Sequence, residues 1–333
     1  MSNSKELVRS LFAGKPVSRP PFIPLMATAV AQFMQVPVQQ VFSDPTTLAN
    51  SLQTCQRLFG YDGIVILFDS TLEAEACGCR LSWQDWQPPR VTSSVLSNED
   101  ELDRLDVSEI EGKGRIPAVL EAAKRLMGTA GREVAVLGVI TGPVTLGRHL
   151  MGEAFVTATD TSSQTLQKLT EFWGKIALVL ARAYGELKLD AVIIADVDMA
   201  LLNTSHYTML QPALKTLRNL LNFYDAPLIM HTGRVPAEGL TAFSQLEADG
   251  FAPANPLPEI MSAFPGGSLL GGAIPASKLL GTVEDIEKAA LELLGSGDRS
   301  RLFVTTDGEV PLTTPPSNLH KVMQLLRTAA LNK

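Results

Sequence analysis

Three acidic side chains follow one apolar run of the 333-residue sequence at a spacing that could serve proton chemistry. Asp69, Glu73 and Glu75 lie in FDSTLEAEACGC (68–79), at the end of the run GIVILF. Carboxyl groups that share one cavity repel each other and lose solvation, which raises the pKa of at least one of them. A carboxyl of this kind can act as a general acid, so we predict that these three acids are catalytic. The alternative is that they are solvated acids at a helix start, where their charge suits the helix dipole.

One histidine and one further acid end later apolar runs. His231 closes PLIMH (227–231), and Asp307 follows RLFVTT (301–306). Histidine, with an unperturbed pKa of about 6.5, can donate a hydrogen bond or act as a general acid at neutral pH. We therefore predict that His231 and Asp307 are catalytic as well. The alternative is a structural histidine that hydrogen-bonds a neighbouring strand end.

Polar side chains near other strand ends are predicted to bind a substrate. They are Asp196, Asp198, Tyr207, Asn255 and Glu309. For the pair Asp196 and Asp198 the alternative is that one carboxylate binds a backbone amide and holds the long loop that follows.

The elements that must position these residues are eight short apolar runs. They are FIPLM (22–26), GIVILF (63–68), VAVLGVI (134–140), AVIIAD (191–196), PLIMH (227–231), GFAPA (250–254), SLLGGA (268–273) and RLFVTT (301–306). Most are continuous rather than alternating, which is typical of parallel strands buried on both faces. Helical sequences separate them, which predicts an α/β fold, a (β/α)8 TIM-type barrel with N-terminal helical additions. Active sites of such barrels lie at the C-terminal ends of the strands, where the candidate residues are found.

Apolar residues at helical spacing predict the helices that complete this fold. The predicted ranges are 98–108, 116–127, 166–187, 283–294 and 317–331, the first opening on an Asn98 cap. Gly271 and Gly272, near the end of the run 268–273, are expected to leave room for a flat or bulky group. No repeat or linker divides the sequence, so residues 1–333 are expected to form one barrel domain.

The composition excludes several classes of protein. The hydrophobic fraction of 45% and the charged fraction of 19% are typical of a globular protein with a large core. The net charge of −7 argues against nucleic acid as a partner, because such binding requires a basic face. Three cysteines do not suggest a disulfide framework, and we find neither a signal peptide nor a long apolar span. A cytoplasmic location without membrane contact is therefore expected, and the oligomeric state stays open, a homodimer included.

Six segments, in order along nearly the whole chain, resemble the uroporphyrinogen decarboxylase-like superfamily. They are LVRSLFAGKPVSRPPFIP, FDSTLEAEACGC, TGPVTLGRHLMGE, ADVDMALLNTSHY, GGAIPASKLLGT and VPLTTPPSNL. The second resembles the branch of corrinoid-dependent methyltransferases, in which an Asp is followed by Glu-Ala-Glu. Decarboxylases of the superfamily carry an arginine-rich loop after the first strand, which here reads PLMATAVAQF without arginine. A tetra-anionic porphyrinogen would lack its cationic clamp there.

The methyltransferase branch usually binds zinc through His-x-Cys and a later Cys. Here the first motif reads His231-Thr232-Gly233 and the later position reads Gly308, so both thiolates are missing. The resemblance therefore does not predict a bound zinc. The alternative is an oxygen-rich metal site in which Asp307, Glu309 or Asp196 joins His231.

The resemblance implies methyl transfer between a small methylated substrate or acceptor and a corrinoid (cobalamin) cofactor held on a small partner protein. In this scheme Asp69, Glu73 and Glu75 position or protonate the substrate, and His231 polarises it together with Asp307 or Glu309. A methoxylated aromatic, a methylamine and a folate stay open as the methyl donor or acceptor. The alternatives are a decarboxylase of a uroporphyrinogen-like or smaller carboxylate acting through Asp69, and a non-catalytic barrel that binds a corrinoid or tetrapyrrole.

Overall fold

A computed structural model describes residues 3–156, 163–264, 266–295 and 298–331. In chain order its strands are β1 (Gly63–Val65), β2 (Arg80–Ser82), β3 (Arg90–Ser93), β4 (Ala135–Thr141), β5 (Ala191–Asp196), β6 (Leu228–Thr232), β7 (Gly250–Pro253), β8 (Leu269–Ile274) and β9 (Leu302–Thr306). All except β2 and β3 form one parallel sheet in the order β1-β4-β5-β6-β7-β8-β9. Strands β2 and β3 pair antiparallel as a separate hairpin, which the sequence did not predict.

The segment 21–23 lies between the two edges of this sheet. Val304 of β9 donates its N–H to the Pro21 carbonyl and accepts the N–H of Ile23, both at 2.8 Å, while Asp62 donates its N–H to the Phe22 carbonyl. The predicted barrel is thus confirmed, but its first strand is reduced to a single bridge from Phe22 to Val304. Prolines at positions 20, 21 and 24 have no N–H to donate, so a longer ladder cannot form there.

Helices surround the sheet and close its ends. They are α1 (Ser4–Phe12), α2 (Thr28–Met34), α3 (Val38–Ser43), α4 (Pro45–Phe59), α5 (Leu72–Ala76), α6 (Ile116–Gly128), α7 (Pro143–Met151), α8 (Ser163–Glu186), α9 (Tyr207–Phe223), α10 (Leu240–Phe243), α11 (Leu257–Ala263), α12 (Ala276–Leu279), α13 (Val283–Gly295) and α14 (Pro316–Leu331). The segment predicted as a helix over 98–108 forms only a short 3-10 helix, Glu99–Arg104, although Asn98 caps it as expected. Four acids among these six residues repel one another and disfavour a longer helix. No helix of the described ranges is long and apolar enough to cross a membrane.

Two apolar layers hold the barrel together. The inner layer contains alternate strand residues such as Val139, Ile193 and Ile229, and the outer layer packs the strands against the helices. Helix α1 closes the N-terminal end of the barrel, because its Val8 and Leu11 join the inner layer. The opposite end, where the strands finish, carries the candidate site.

The paired glycines of β8 serve close packing rather than an open space. A Cβ atom on Gly271 would lie 2.4 Å from the Cβ of Ala252, and one on Gly272 would meet Leu293 at 3.0 Å. The expectation that these glycines leave room for a flat group was therefore wrong.

Candidate active site

The acids after β1 are organised by a buried arginine. Arg115, just before α6, donates from Nη1 to Asp69 Oδ2 at 2.6 Å and from Nε to Glu75 Oε2 at 2.6 Å. A third bond runs from its Nη2 to Thr71 Oγ1 at 3.1 Å, and the guanidinium lies 4.9 Å from the ring centroid of Trp83. Burial opposes the charge on Arg115, but the two carboxylates outweigh it and raise its pKa. Three of the five N–H donors of Arg115 thus bind protein groups.

Asp69 is held on both carboxylate oxygens. Its Oδ1 accepts from the backbone N–H and the hydroxyl of Thr71, at 2.9 and 2.8 Å, while Oδ2 accepts from Arg115. These three hydrogen bonds fix the position of the carboxylate, which suits a role in positioning its neighbours. Sequence reasoning missed Arg115, because a single arginine in GKGRIP carries no motif and lies 46 residues from Asp69.

Glu73 lies apart from that ion pair. Its side chain is 1% exposed and accepts from the backbone N–H of Thr141 at 3.0 Å and from the Thr141 hydroxyl, at the end of β4. Burial raises the pKa of Glu73 to about 7, although the bonds from Thr141 oppose the rise. A buried carboxyl of this kind can exchange a proton near neutral pH, as the sequence analysis predicted for one of the three acids.

Two acids after β9 face the same end of the barrel. Glu309 Oε1 accepts from the backbone N–H and the hydroxyl of Thr28 at the start of α2. Burial raises the pKa of Glu309 to about 7, and the charge on Asp69 adds to the rise. Asp307 Oδ1 accepts the N–H of Ala276 at 2.8 Å.

His231 is buried with one ring nitrogen committed. It is 2% exposed, and its Nε2 lies 3.1 Å from the carbonyl oxygen of Thr306. A carbonyl only accepts, so Nε2 carries the proton and Nδ1 presents a lone pair, which differs from the donor role expected from the sequence. Within the described residues Nδ1 has no hydrogen-bond partner. Burial lowers the pKa of His231, so the ring is neutral at neutral pH.

The His231 side chain points into the barrel. It follows Ile229 by two residues on β6, and Ile229 belongs to the inner apolar layer. Its ring packs against that of Phe68 in an edge arrangement, with centroids 5.5 Å apart. Phe68 directly precedes Asp69 in the chain, and the charge of Asp307 acts on the imidazole.

The predicted substrate-binding residues other than Glu309 contact other groups of the protein. Buried Asp196 accepts from Val144 N, Thr145 N and the Thr145 hydroxyl at the start of α7, and burial raises its pKa to about 7. Asp198 pairs with Arg148. Asn255 joins the backbone of Val235 by two bonds of 2.9 Å, and Tyr207 packs at 1% exposure against Phe243. The alternative stated for Asp196, a carboxylate that holds a loop through backbone amides, matches its contacts.

A second histidine lies near the acids. His149 of α7 lies with Nε2 3.2 Å from Ser70 Oγ, and both residues are partly exposed. Burial lowers its pKa, while the charges of Asp198 and Asp69 oppose that effect. Ser70 therefore connects His149 to Asp69, which precedes Ser70 in the chain.

The residues do not fit the zinc site of the methyltransferase branch. A Cβ atom on Gly233 would lie 2.6 Å from the Val197 carbonyl oxygen, so a cysteine there would require the backbone to move. Across the described ranges no group of three His, Cys, Asp or Glu side chains could hold a metal ion. Gly308 differs, since a Cβ there would meet nothing within 4 Å.

The fold and this arrangement define a (β/α)8 barrel whose candidate chemistry lies where the strands end. This end, called the mouth below, carries the acids Asp69, Glu73, Asp307 and Glu309 and the imidazole of His231. The family model described as Uroporphyrinogen decarboxylase (URO-D) matches residues 3–329. The chain therefore belongs to the URO-D family, which confirms the resemblance stated from its motifs.

Relatives within this range bear the names of methyltransferases. The methylcobamide:CoM methyltransferase MtbA of Methanosarcina acetivorans is 24% identical over 331 residues, which cover 96% of each chain. MtbA of Methanosarcina mazei matches at the same identity and coverage. A solved structure, a methyltransferase from Methanosarcina mazei, aligns with a TM-score of 0.87 at 19% identity over 100% of this chain and 99% of that chain, which shows a shared fold.

Proposed function

We propose that this protein is a methyltransferase that moves a methyl group between a small substrate and a corrinoid carried by a separate small protein. The names of the full-length relatives support methyl transfer involving a corrinoid. The observation that carries the proposal is the C-terminal end of the barrel strands, where buried acids and the unpartnered Nδ1 of His231 lie without an arginine clamp for a polyanion.

The corrinoid would supply the cobalt that gives or accepts the methyl group. The side chains that follow β5 and α12 at this end offer apolar surface to a large flat ring, because Val197 and Leu280 are 40% and 49% exposed. Open space beside Gly308 adds to this fit. The rim thus offers apolar contacts rather than a fixed ligand for the cofactor.

The residues of the chain would position the substrate and exchange protons with it. Asp69 and Glu75, both paired with Arg115, keep the loop after β1 in place. Glu73 and Glu309 have pKa values of about 7 and can hold or release a proton beside the substrate. His231 accepts a hydrogen bond from the substrate through Nδ1, and the nearby charge of Asp307 favours a positive ring if a proton follows.

Decarboxylation of uroporphyrinogen is not supported by the charges at the mouth. The segment after the bridge at Phe22 forms α2 and carries no arginine. The charge of Arg115 is already paired with Asp69 and Glu75, so it is not a free cation for a substrate carboxylate. We expect no coproporphyrinogen formation at a rate comparable to a true decarboxylase, and such a rate would contradict this reasoning.

The proposal is tested by methyl transfer with free methylcobalamin, followed by its absorbance. The purified chain should catalyse demethylation by a protic acceptor or methylation of reduced cobalamin by a methylated donor. His231→Gln should reduce the rate, whereas Arg125→Gln, on the outer part of α6, should not. Absence of transfer in both directions across alcohols, thiols and amines would refute the proposal.

Metal analysis supplies an independent check. We expect well under one zinc per chain in protein purified without chelator, and His231→Ala should impair turnover without changing the metal content. Stoichiometric zinc that is lost in His231→Ala would contradict this and would point to Asp307, Glu309 or Asp196 as ligands.

A further inference from the structure

We propose that the mouth of the barrel contains a subsite for an ammonium group, formed by Asp307, Glu309, Phe68 and His231. This inference rests on the proposed function and deepens it by naming the class of the small substrate, an amine in its protonated form. The chemistry of each of the four side chains carries one part of the argument.

Asp307 and Glu309 have no cationic partner within the described ranges, unlike the acids after β1. Each uses a carboxylate oxygen to accept a backbone N–H, from Ala276 and Thr28 respectively. Asp69 and Glu75, in contrast, share Arg115. The mouth therefore carries carboxylates in excess of the positive charge of the protein.

The cations around the rim do not offset this excess. Their charges are already paired, as Arg148 with Asp198, Arg234 with Glu259 and Lys278 with Asp285. An anionic substrate would have to break one of these pairs or approach unpaired carboxylates. A cationic group would gain by approaching them.

His231 supplies an independent sign of a ligand. Its Nδ1 is buried, belongs to a side chain that points into the barrel, and lacks a partner in the described part of the chain. A buried acceptor without a hydrogen bond costs free energy, which a ligand with an N–H, O–H or S–H donor would recover. Because Nε2–H is held by the Thr306 carbonyl, the ring cannot satisfy Nδ1 by exchanging tautomers.

Phe68 selects among these donors. It is partly exposed at the mouth and packs against the His231 ring. An aromatic face beside carboxylates attracts a cation through its quadrupole, a preference that neutral alcohols and thiols do not share. An ammonium ion meets all three demands, since it is cationic, donates N–H bonds and carries alkyl groups that tolerate an aromatic ring.

Direct binding to the full-length chain tests the inference without turnover. The probes are dimethylammonium, methanol, the anionic thiol mercaptoethanesulfonate and zinc chloride, each titrated calorimetrically. Dimethylammonium should bind saturably and at least about tenfold more tightly than methanol, because only the cation gains from the carboxylates and the ring.

Variants assign the binding to this subsite. Glu309→Gln and Phe68→Leu should each weaken dimethylammonium binding about tenfold. His231→Phe should weaken it as well, since that variant keeps a ring and removes the lone pair. Asp285→Asn is the matched control, because Asp285 is a rim carboxylate paired with Lys278, and this variant should bind as the unmodified chain does. Circular dichroism establishes whether each variant is folded. If Glu309→Gln does not fold, Phe68→Leu is used to test the subsite instead.

The outcomes separate this inference from the proposed function. Equal binding of methanol and dimethylammonium, tighter binding of mercaptoethanesulfonate, or stoichiometric zinc at the same residues would each overturn the ammonium subsite. Methyl transfer from methylcobalamin to a thiol, without ammonium binding, would retain the methyltransferase and remove this subsite. If ammonium binding is weakened by Glu309→Gln but the chain transfers no methyl group, the ammonium subsite is retained and the methyltransferase proposal is refuted.

Discussion

Replacing Arg115 should show how strongly the stability of the fold depends on the one buried cation that pairs with Asp69 and Glu75. Arg115 and Asp69 expose only 7% and 3% of their side chains, so their ion pair is largely shielded from water. Arg115→Gln removes the charge and the fork of donors that hold Asp69, Glu75 and Thr71. The same change also removes the contact between the guanidinium and Trp83. Asp69 would then remain buried without a cation.

The expected loss is large compared with total stability. Removing one partner of a buried ion pair costs about 3–5 kcal/mol, mainly because the other charge is left uncompensated. A domain is stable by about 5–15 kcal/mol, so this loss is a substantial fraction. Arg115→Lys should cost less, about 1–3 kcal/mol, because it keeps a point charge and loses the forked geometry.

Chemical denaturation followed by circular dichroism measures these losses as changes in the free energy of unfolding. Arg125→Gln is the control, since Arg125 lies on the same helix and its pair with Glu121 is 40% and 41% exposed. That change should cost at most about 1 kcal/mol. Arg115→Gln combined with Asp69→Asn should recover part of the loss, because the double variant no longer leaves the buried charge of Asp69 unpaired. Equal losses for Arg115→Gln and Arg125→Gln, or full additivity in the double variant, would refute the reasoning.

Three further predictions address the mouth of the barrel. Burial raises the pKa of Glu73 from 4.5 to about 7. The stability that its proton contributes is therefore complete below pH 4.5 and is lost as the pH rises through about 7. Glu73→Gln should flatten the fall in unfolding free energy over that range by up to about 1.4 kcal/mol per pH unit, and an unchanged slope would contradict this. Gly233→Ala should destabilise the chain by about 1–3 kcal/mol in denaturation experiments, because its Cβ would lie 2.6 Å from the Val197 carbonyl oxygen. Gly308→Ala, with open space around its Cβ, should change stability by less than about 0.5 kcal/mol, and similar costs at both glycines would exclude the packing argument. Nitrogen-15 chemical shifts of His231 should show a neutral ring protonated at Nε2, and a proton at Nδ1 would remove its role as an acceptor.

The sequence predicted the barrel well, because each strand is a continuous apolar run that can only be buried between two layers. The runs at 134–140 and 191–196 became β4 and β5 with shifts of at most one residue at their ends. It predicted the first strand less well, because that prediction used only the apolar character of FIPLM. The prolines in and before this segment have no N–H to donate to a neighbouring strand. The hairpin of β2 and β3 was missed because its residues are mostly exposed and carry no apolar pattern.

The sequence alone determined which chemical groups stand at the strand ends, since a carboxylate or imidazole after an apolar run is carried to the mouth of any parallel barrel. It also determined that two thiolates are absent at positions 233 and 308. Only the tertiary structure decided what each group can do, because protonation and hydrogen bonding depend on partners that lie far apart in the chain. Asp69 meets Arg115 across 46 residues and pairs with that cation, whereas Glu309 meets Thr28 across 281 residues and has no cationic partner in the described ranges. His231 meets the Thr306 carbonyl across 75 residues and is thereby left with a free lone pair, which no local pattern specifies.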